Sequence, residues 1–492
     1  MVGGVKPPAS DTPIAQLPAR RKTAVLALCC LPFVMAQLDA TIVNVALPTI
    51  AKDMHASLSS LQWIVSAYVL VLSSLLLFSG TLADRVGRRK NLIAGIAVFV
   101  IGSALCGLSD SVGTLIAARC LQAVGGALIS PATLATITTM YPERGERARA
   151  IGWWAGSGGV GLALGPLLGG ALVESLGWQW VFYVNLLPGV IAIVLCWLFL
   201  PESRSPKPRR FDIAGVLLLM VAVFTLAHSI IEGPSYGWTS PVILGGFAVA
   251  LSVLVAFVLT GLHRPDPVIP PQLFLDGAFT RSVLTVLLGT AALAGLLFTT
   301  TLYLQDVRGL SPLMAGVLTL PMVTLSSAGA VIAGGLVAKG YSRALLLSSG
   351  LGIAASAAGF WWLQADAVWL IVVPFVLFGA GFGVMNNPVN VTAVSELPDA
   401  MAGTAASVVS TFRQFGQVLG VALVGTLMAG HLGSNLSTGF DAASTPVWIM
   451  IAACGLGIVA LNLRASDPLS GSTHRQHAAP HPSNHGGAGL HA

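Results

Sequence analysis

Apolar residues run in long blocks along this chain, and each block is closed by a short polar stretch. About 20 apolar residues in a helix rising 1.5 Å per residue cross a hydrocarbon core of about 30 Å. Blocks of that length lie near residues 23–47, 61–82, 91–109, 112–138, 150–173, 179–200, 212–231 and 240–262. Six more follow near 280–304, 313–337, 343–364, 368–394, 403–430 and 446–463. The pattern predicts an all-α polytopic membrane protein with fourteen spans.

Composition agrees. Of 492 residues, 55% are hydrophobic and 9% charged, and the mean hydropathy is +0.83. A soluble chain carries about 25% charged residues. The net charge of +6 does not call for nucleic acid, because the basic residues are placed for topology. With the N-terminus inside, 21 of the 25 Lys and Arg fall in the tails and the loops on that side. Only Lys52 and Arg308 fall in loops of the other side, while Arg119 and Arg413 lie within spans. This positive-inside bias predicts that both termini are cytoplasmic. The first block is too long for a signal-peptide core and no small-residue cleavage site interrupts it, so it reads as a retained span. The six cysteines all sit in apolar blocks without a CxxC pair and read as packing residues. Five of the nine histidines crowd irregularly into the polar stretch after residue 473, which reads as a disordered tail rather than a metal site.

The chain also repeats itself. "GTLADRVGRR" at 80–89 has a degraded echo in "GGLVAKGYSR" at 334–343, each between two spans. The offset fits six spans plus an inserted pair. The organisation predicted is a cytoplasmic tail (1–22), a six-helix bundle (23–200), a linker with an inserted helix pair (201–279), a second bundle (280–464) and a tail (465–492). Parallel halves with a midplane site at their interface recur among transporters.

Four motifs carry chemistry. "MAQLDATIVNVALP" at 35–48 places Asp39 inside the first span, where an acid costs about 2.5–3.5 kcal/mol. "RCLQAVGGALISP" at 119–131 places Arg119 and Gln122 in the fourth. Asp39 lies 16 residues into an outward-running span and Arg119 seven into an inward-running one, so both fall in the outer half of the bilayer. They can pair if those spans are neighbours; otherwise Arg119 is left with backbone carbonyls and Gln122. "GVGLALGPLLGG" at 159–170 sets Gly161, Gly165, Gly169 and Gly170 around Pro166, leaving bare backbone for close helix contact and a missing hydrogen bond that can kink the span. "TFRQFGQVLGVAL" at 411–423 places Arg413 well inside the thirteenth span, where it lines a cavity or pairs with Glu396.

These motifs resemble the major facilitator superfamily and, within it, the fourteen-span drug:proton antiporters, over about residues 20–465. The resemblance implies two six-helix bundles with an inserted pair. It implies a gating role for Gly80, Asp84, Arg85, Gly87, Arg88 and Arg89, although the same charges also serve as a topology signal. It further implies an antiporter seam along Gly161–Gly170. Three departures from the family pattern stand out: Ala123 at a glycine position, Gln179 for an arginine, and Ala338 for the acid in the second gating copy.

Asp39 with Arg119 is the proton-coupling candidate, since burial and a facing cation act oppositely on a carboxyl group. Gln37, Asn44, Trp63, Tyr68, Gln122, Asn386, Asn390, Arg413 and Phe415 are the candidate substrate contacts. His228 and Glu232, in the inserted pair, read as peripheral. None of the six lysines sits in a GxxxxGK[ST] loop, so no ATP-driven step is visible and no enzyme motif is present. The expectation is a monomeric, cofactor-free exporter in a bacterial cytoplasmic membrane that exchanges protons for a small amphipathic drug or antibiotic. The rivals are a dedicated exporter of one endogenous product and a non-transporting sensor or scaffold on the same fold.

Overall fold

The computed structural model describes residues 18–204, 212–264, 267–362, 368–395, 397, 399–429 and 436–464. Glu396, the linker at 205–211 and the histidine-containing tail lie outside them. The described chain is helical: α1 (Ala19–Asp53), α2 (Leu58–Val86), α3 (Arg88–Gly107), α4 (Val112–Met140), α5 (Arg144–Leu176), a short α6 (Trp180–Tyr183) and α7 (Leu186–Phe199). Then come α8 (Ile213–Tyr236), α9 (Pro241–His263), α10 (Gly277–Leu302), α11 (Pro312–Val337), α12 (Ser342–Trp362), α13 (Val372–Val394), α14 (Asp399–Ala429) and α15 (Leu436–Asn462). Taking α6 and α7 as one span, fourteen are long and apolar enough to cross a membrane.

Helices outrun the apolar blocks that announce them. The first covers 19–53 where the block covers 23–47. Backbone hydrogen bonding continues into the headgroup region, where polar side chains carry little penalty. Serine caps start several spans at one end: Ser57, Ser111, Ser240 and Ser311 each accept a backbone N–H from three residues on.

In the first bundle α1 packs on α5, α3 on α4 and α2 on α4; in the second, α10 packs on α14, α11 on α13 and α12 on α13 and α15. Small residues set these distances. A Cβ at Gly102 on α3 would lie 2.5 Å from the Gln122 Cα on α4, and one at Gly125 2.6 Å from the Gly95 carbonyl. The bundles touch each other mainly through α5 with α11 and α2 with α14. One end of the molecule carries the repeated basic loops and is called here the basic end.

Candidate functional site

Asp39, halfway along α1, is fully buried, and Arg119 on α4 is 2% exposed. Their close approach follows from the α1–α4 contact and the matching depth of the two side chains. Asp39 Oδ2 accepts from Arg119 Nη1 at 2.6 Å. Gln122, three residues beyond Arg119 and so on the same helix face, ties the pair together. Its Oε1 accepts from Arg119 Nη1 at 2.6 Å and its Nε2 donates to Asp39 Oδ1 at 2.7 Å. Two residues that no motif singled out complete the cluster. Asn185, at the break between α6 and α7, donates to Asp39 Oδ1 at 3.2 Å and to Ser103 Oγ of α3 at 3.3 Å. Ser103 also accepts from Gln122 at 2.6 Å.

Arg119 makes contacts besides these. Its Nε donates to the Ile64 carbonyl of α2 at 3.4 Å, and its guanidinium lies 4.0 Å from the Tyr68 ring centroid, a cation–π contact. Arg119 therefore pairs with the carboxylate, and its backbone and amide contacts add to that pair instead of replacing it. Tyr68 and Gln122 are buried beside this cluster. Asp39, Ser103, Arg119, Gln122 and Asn185 are all buried, and each carboxylate oxygen faces N–H donors.

The glycine seam of α5 works in two directions. Towards α1, a Cβ at Gly161 would lie 2.6 Å from the Val34 carbonyl oxygen, and Gly165 and Gly169 press on Thr41 and Ile42. Thr41 Oγ1 donates across this contact to the Leu162 carbonyl at 3.2 Å. Towards α11, a Cβ at Gly170 would lie 2.5 Å from the Pro312 carbonyl oxygen, and Gly316 backs onto the Pro166 carbonyl. Gly159 and Gly152 continue this second face, eleven and eighteen residues nearer the basic end, about three and five helical turns. A Cβ at Gly159 would reach only the Ser327 hydroxyl, 3.8 Å away; one at Gly152 would meet nothing within 4 Å. The joint between bundles is a wedge, closed at the far end and open towards the basic end.

Polar bonds close the far end. Gln62 on α2 donates to the Val421 and Ala422 carbonyls of α14 at 2.7 and 2.9 Å. Gln305 donates to the Val45 carbonyl at 2.9 Å, Glu174 accepts from the Leu313 N–H at 3.3 Å, and Lys52 pairs with Asp306 at 3.0 Å. A small cavity just inside this closure is lined by Thr41, Asn44 and Pro166 from one bundle and Thr301 and Thr319 from the other. Gln37 lies half-buried beside Gly161.

At the basic end Asp84, Arg88 and Arg89 bond to groups of their own bundle. Asp84 accepts from Arg88 at 3.1 Å, and Arg88 also donates to Thr139 of α4. Gly87 adopts a φ of +117°, which L side chains rarely take, and a Cβ there would strike the Glu202 carboxylate. That carboxylate accepts from the Arg89 N–H at 3.1 Å, at the positive start of α3. Arg89 donates to the Trp197 carbonyl at 2.6 Å, and its repeat counterpart Arg343 donates to the Leu463 carbonyl. Each half thus pins its gating loop to the end of its own last helix. Gly80 packs on Pro131, and Arg85 is exposed.

In the second bundle, Arg413 donates to Asn386 Oδ1 of α13, and Asn390, one turn along the same face, is exposed. Phe415 is buried beside Phe412. Trp63 turns away from these groups: its Nε1 donates to Glu232 Oε1 of α8 at 2.9 Å, and His228 stacks obliquely near its ring. Glu232 lies inside α8, which runs to Tyr236, and it and His228 are therefore part of the joint with α2 rather than peripheral.

A family model described as Major Facilitator Superfamily matches residues 29–421. The chain is 34% identical over 439 residues to the tetracenomycin C resistance and export protein of Streptomyces glaucescens, covering 89% of this chain and 81% of that one. It is 33% identical over 442 residues to the methylenomycin A resistance protein of Bacillus subtilis, covering 87% and 94%. Among solved structures, a bacterial homologue of the human lysosomal transporter Spinster, inward-facing and unoccupied, superposes with a TM-score of 0.64 at 18% identity, covering 91% of this chain and 96% of that one.

Proposed function

Because the chain belongs to the Major Facilitator Superfamily, we propose that it exports amphipathic drugs or antibiotics across a bacterial cytoplasmic membrane in exchange for protons. The basic end is the cytoplasmic side by the positive-inside rule, with both termini there. The wedge between bundles is then the inward-open stage of an alternating-access cycle, waiting for substrate from the cytoplasm. Relatives named for resistance to, or export of, antibiotics support the direction of transport.

The observation that carries the proton assignment is the buried Asp39–Arg119 pair, which joins helices of one bundle with no route to solvent in this stage. A proton on Asp39 removes the charge that Arg119 and the two amides hold. That contact then has to be remade elsewhere, and the bundle has two arrangements with different proton affinity. One proton moving through 100 mV supplies about 2.3 kcal/mol and one pH unit about 1.4 more, enough for a several-hundredfold gradient of a neutral solute. Substrate enters from the open side and meets Arg413, Asn386 and Asn390, with Gln37 and Asn44 deeper towards the closed end. Asp84, Arg88 and their neighbours engage the second bundle when the cytoplasmic side shuts.

The test is transport in reconstituted vesicles with an imposed pH gradient. Asp39→Asn should bind substrate and exchange it down its own gradient but lose proton-driven accumulation; full proton-driven export by this variant would defeat the assignment. A second reading, export of one dedicated product, is favoured by the relatives named for a single antibiotic. Survival of a pump-deficient host on a chemically mixed drug panel separates the two.

A further inference from the structure

Two arginines lie in the middle of spans, and the protein treats them differently. Arg119 has its carboxylate. Arg413 sits 14 residues after the start of α14 and 16 before its end, about 21 and 24 Å along the axis. Its partner is the neutral Asn386 amide, and among the described residues no carboxylate pairs with it. Glu396, the acid that sequence offers, falls outside the described residues, two beyond the end of α13. Asn386, which already holds Arg413, is eight residues, about 12 Å, before that end.

A guanidinium carries five N–H donors, and the Asn386 bond uses one. The residue is part-exposed, as are Gln414 and Gln417 on the adjoining face of α14, and Asn390 is exposed a turn away on α13. The polar side chains nearest it along α14 and the Asn386/Asn390 face of α13 are neutral amides, and Phe412 and Phe415, whose rings lie 5.7 Å apart, are its near neighbours in sequence. The sealed Asp39–Arg119 pair contributes no net charge to the wedge. A cation held in the middle of a span without an acidic partner is stabilised by an anion, and Arg suits planar oxyanions because two N–H groups can bond them in parallel.

Resting on the export reading, we propose that Arg413 is the counter-ion of the substrate. The transporter takes amphipathic molecules that bear an ionised acidic group, a carboxylate, phenolate or enolate, and discriminates against permanent cations. The acid docks on the free N–H groups of Arg413 between the Asn386/Asn390 face and Gln417, and the apolar body extends into the wedge.

Fluorescein and rhodamine 123 share a xanthene body and carry opposite charge at pH 8, so they serve as paired probes for the purified full-length protein in lipid nanodiscs. Anisotropy titration should show fluorescein binding about tenfold or more tighter than rhodamine 123. Arg413→Gln should erase that preference, and Arg413→Lys, which keeps the charge but loses the fork, should retain part of it. Equal binding of the two dyes, tighter rhodamine binding, no fluorescein binding, or a preference unchanged in Arg413→Gln would each overturn the proposal. Transport in vesicles separates this from the parent reading. Proton-driven, Asp39-dependent export without charge preference would leave export standing and remove the Arg413 role. Charge-selective binding with no transport of any probe would do the reverse.

Discussion

Arg119 is the side chain whose loss should be felt most. Removing it leaves the Asp39 carboxylate buried with amide donors only, and breaking one partner of a buried pair costs about 3–5 kcal/mol. Arg119→Leu is expected to lower the unfolding free energy in detergent by that much, while Asn185→Ala, which removes one of two donors to Oδ1, should cost about 1–2 kcal/mol. Equal losses in the two variants would show that Asn185 is as necessary as the cation. The pair itself was legible in the sequence, because residue count converts directly to depth in a helix that must cross a membrane. Asn185 and Ser103 were not, because depth says nothing about which way a side chain points around its helix. Asn185 moreover sits where the sixth span breaks between α6 and α7, so its position depends on a bend. A polar residue in an otherwise apolar block, three before Pro188, was the only clue. Glu202 escaped notice for another reason: its partner is a backbone N–H, and no side-chain motif announces one.

At the scale of elements, α5 is one helix with two kinds of surface along a single stripe. The spacing of its glycines made close contact foreseeable. What sequence could not foresee is that the same stripe is gripped at Gly170 and bare at Gly152, since both are glycines in similar apolar surroundings. The difference lies in what stands opposite each glycine, the Pro312 backbone of α11 at Gly170 and open space at Gly152, which is set by how the two bundles meet. The pair gives an internal control. Gly170→Leu has to push α11 away from the Pro312 backbone, so it should open the far end and favour the other stage of the cycle. Gly152→Leu should leave this conformation unchanged. Labelling of single cysteines at the far end by a membrane-impermeant reagent checks both; labelling that rises equally in the two variants would argue against a wedge. The fourteen spans were legible because block length alone decides them, whereas helix ends shifted by up to ten residues where hydrogen bonding runs past the apolar core, as at the start of α15 and the end of α1.

At the scale of the molecule, charge sets the energetics. If a singly charged acid leaves while one proton enters, two charges cross the potential in the favourable sense, about 4.6 kcal/mol at 100 mV. Export of such a substrate should accelerate when a potassium diffusion potential makes vesicles negative on the cytoplasmic side. A permanent cation exchanged for one proton would show no such acceleration, so voltage response reports the charge of the cargo.

The inserted pair adds a mechanical term to this. Glu232 of α8 holds Trp63 of α2, and two residues earlier the Ile230 carbonyl accepts from Thr426 of α14 at 2.6 Å. One short stretch of helix therefore grips both bundles where they meet. When the far end parts, α8 cannot follow α2 and α14 at once, and one of the two bonds must let go. The pair behaves as a buckle whose release precedes the outward stroke, and it sets how often that stroke is attempted. Trp63→Phe keeps the ring and removes the N–H, so it should speed exchange without changing which substrates are bound; unaltered exchange rates would mean the buckle opens on the α14 side instead. The two extra helices then govern the tempo of transport rather than the choice of cargo.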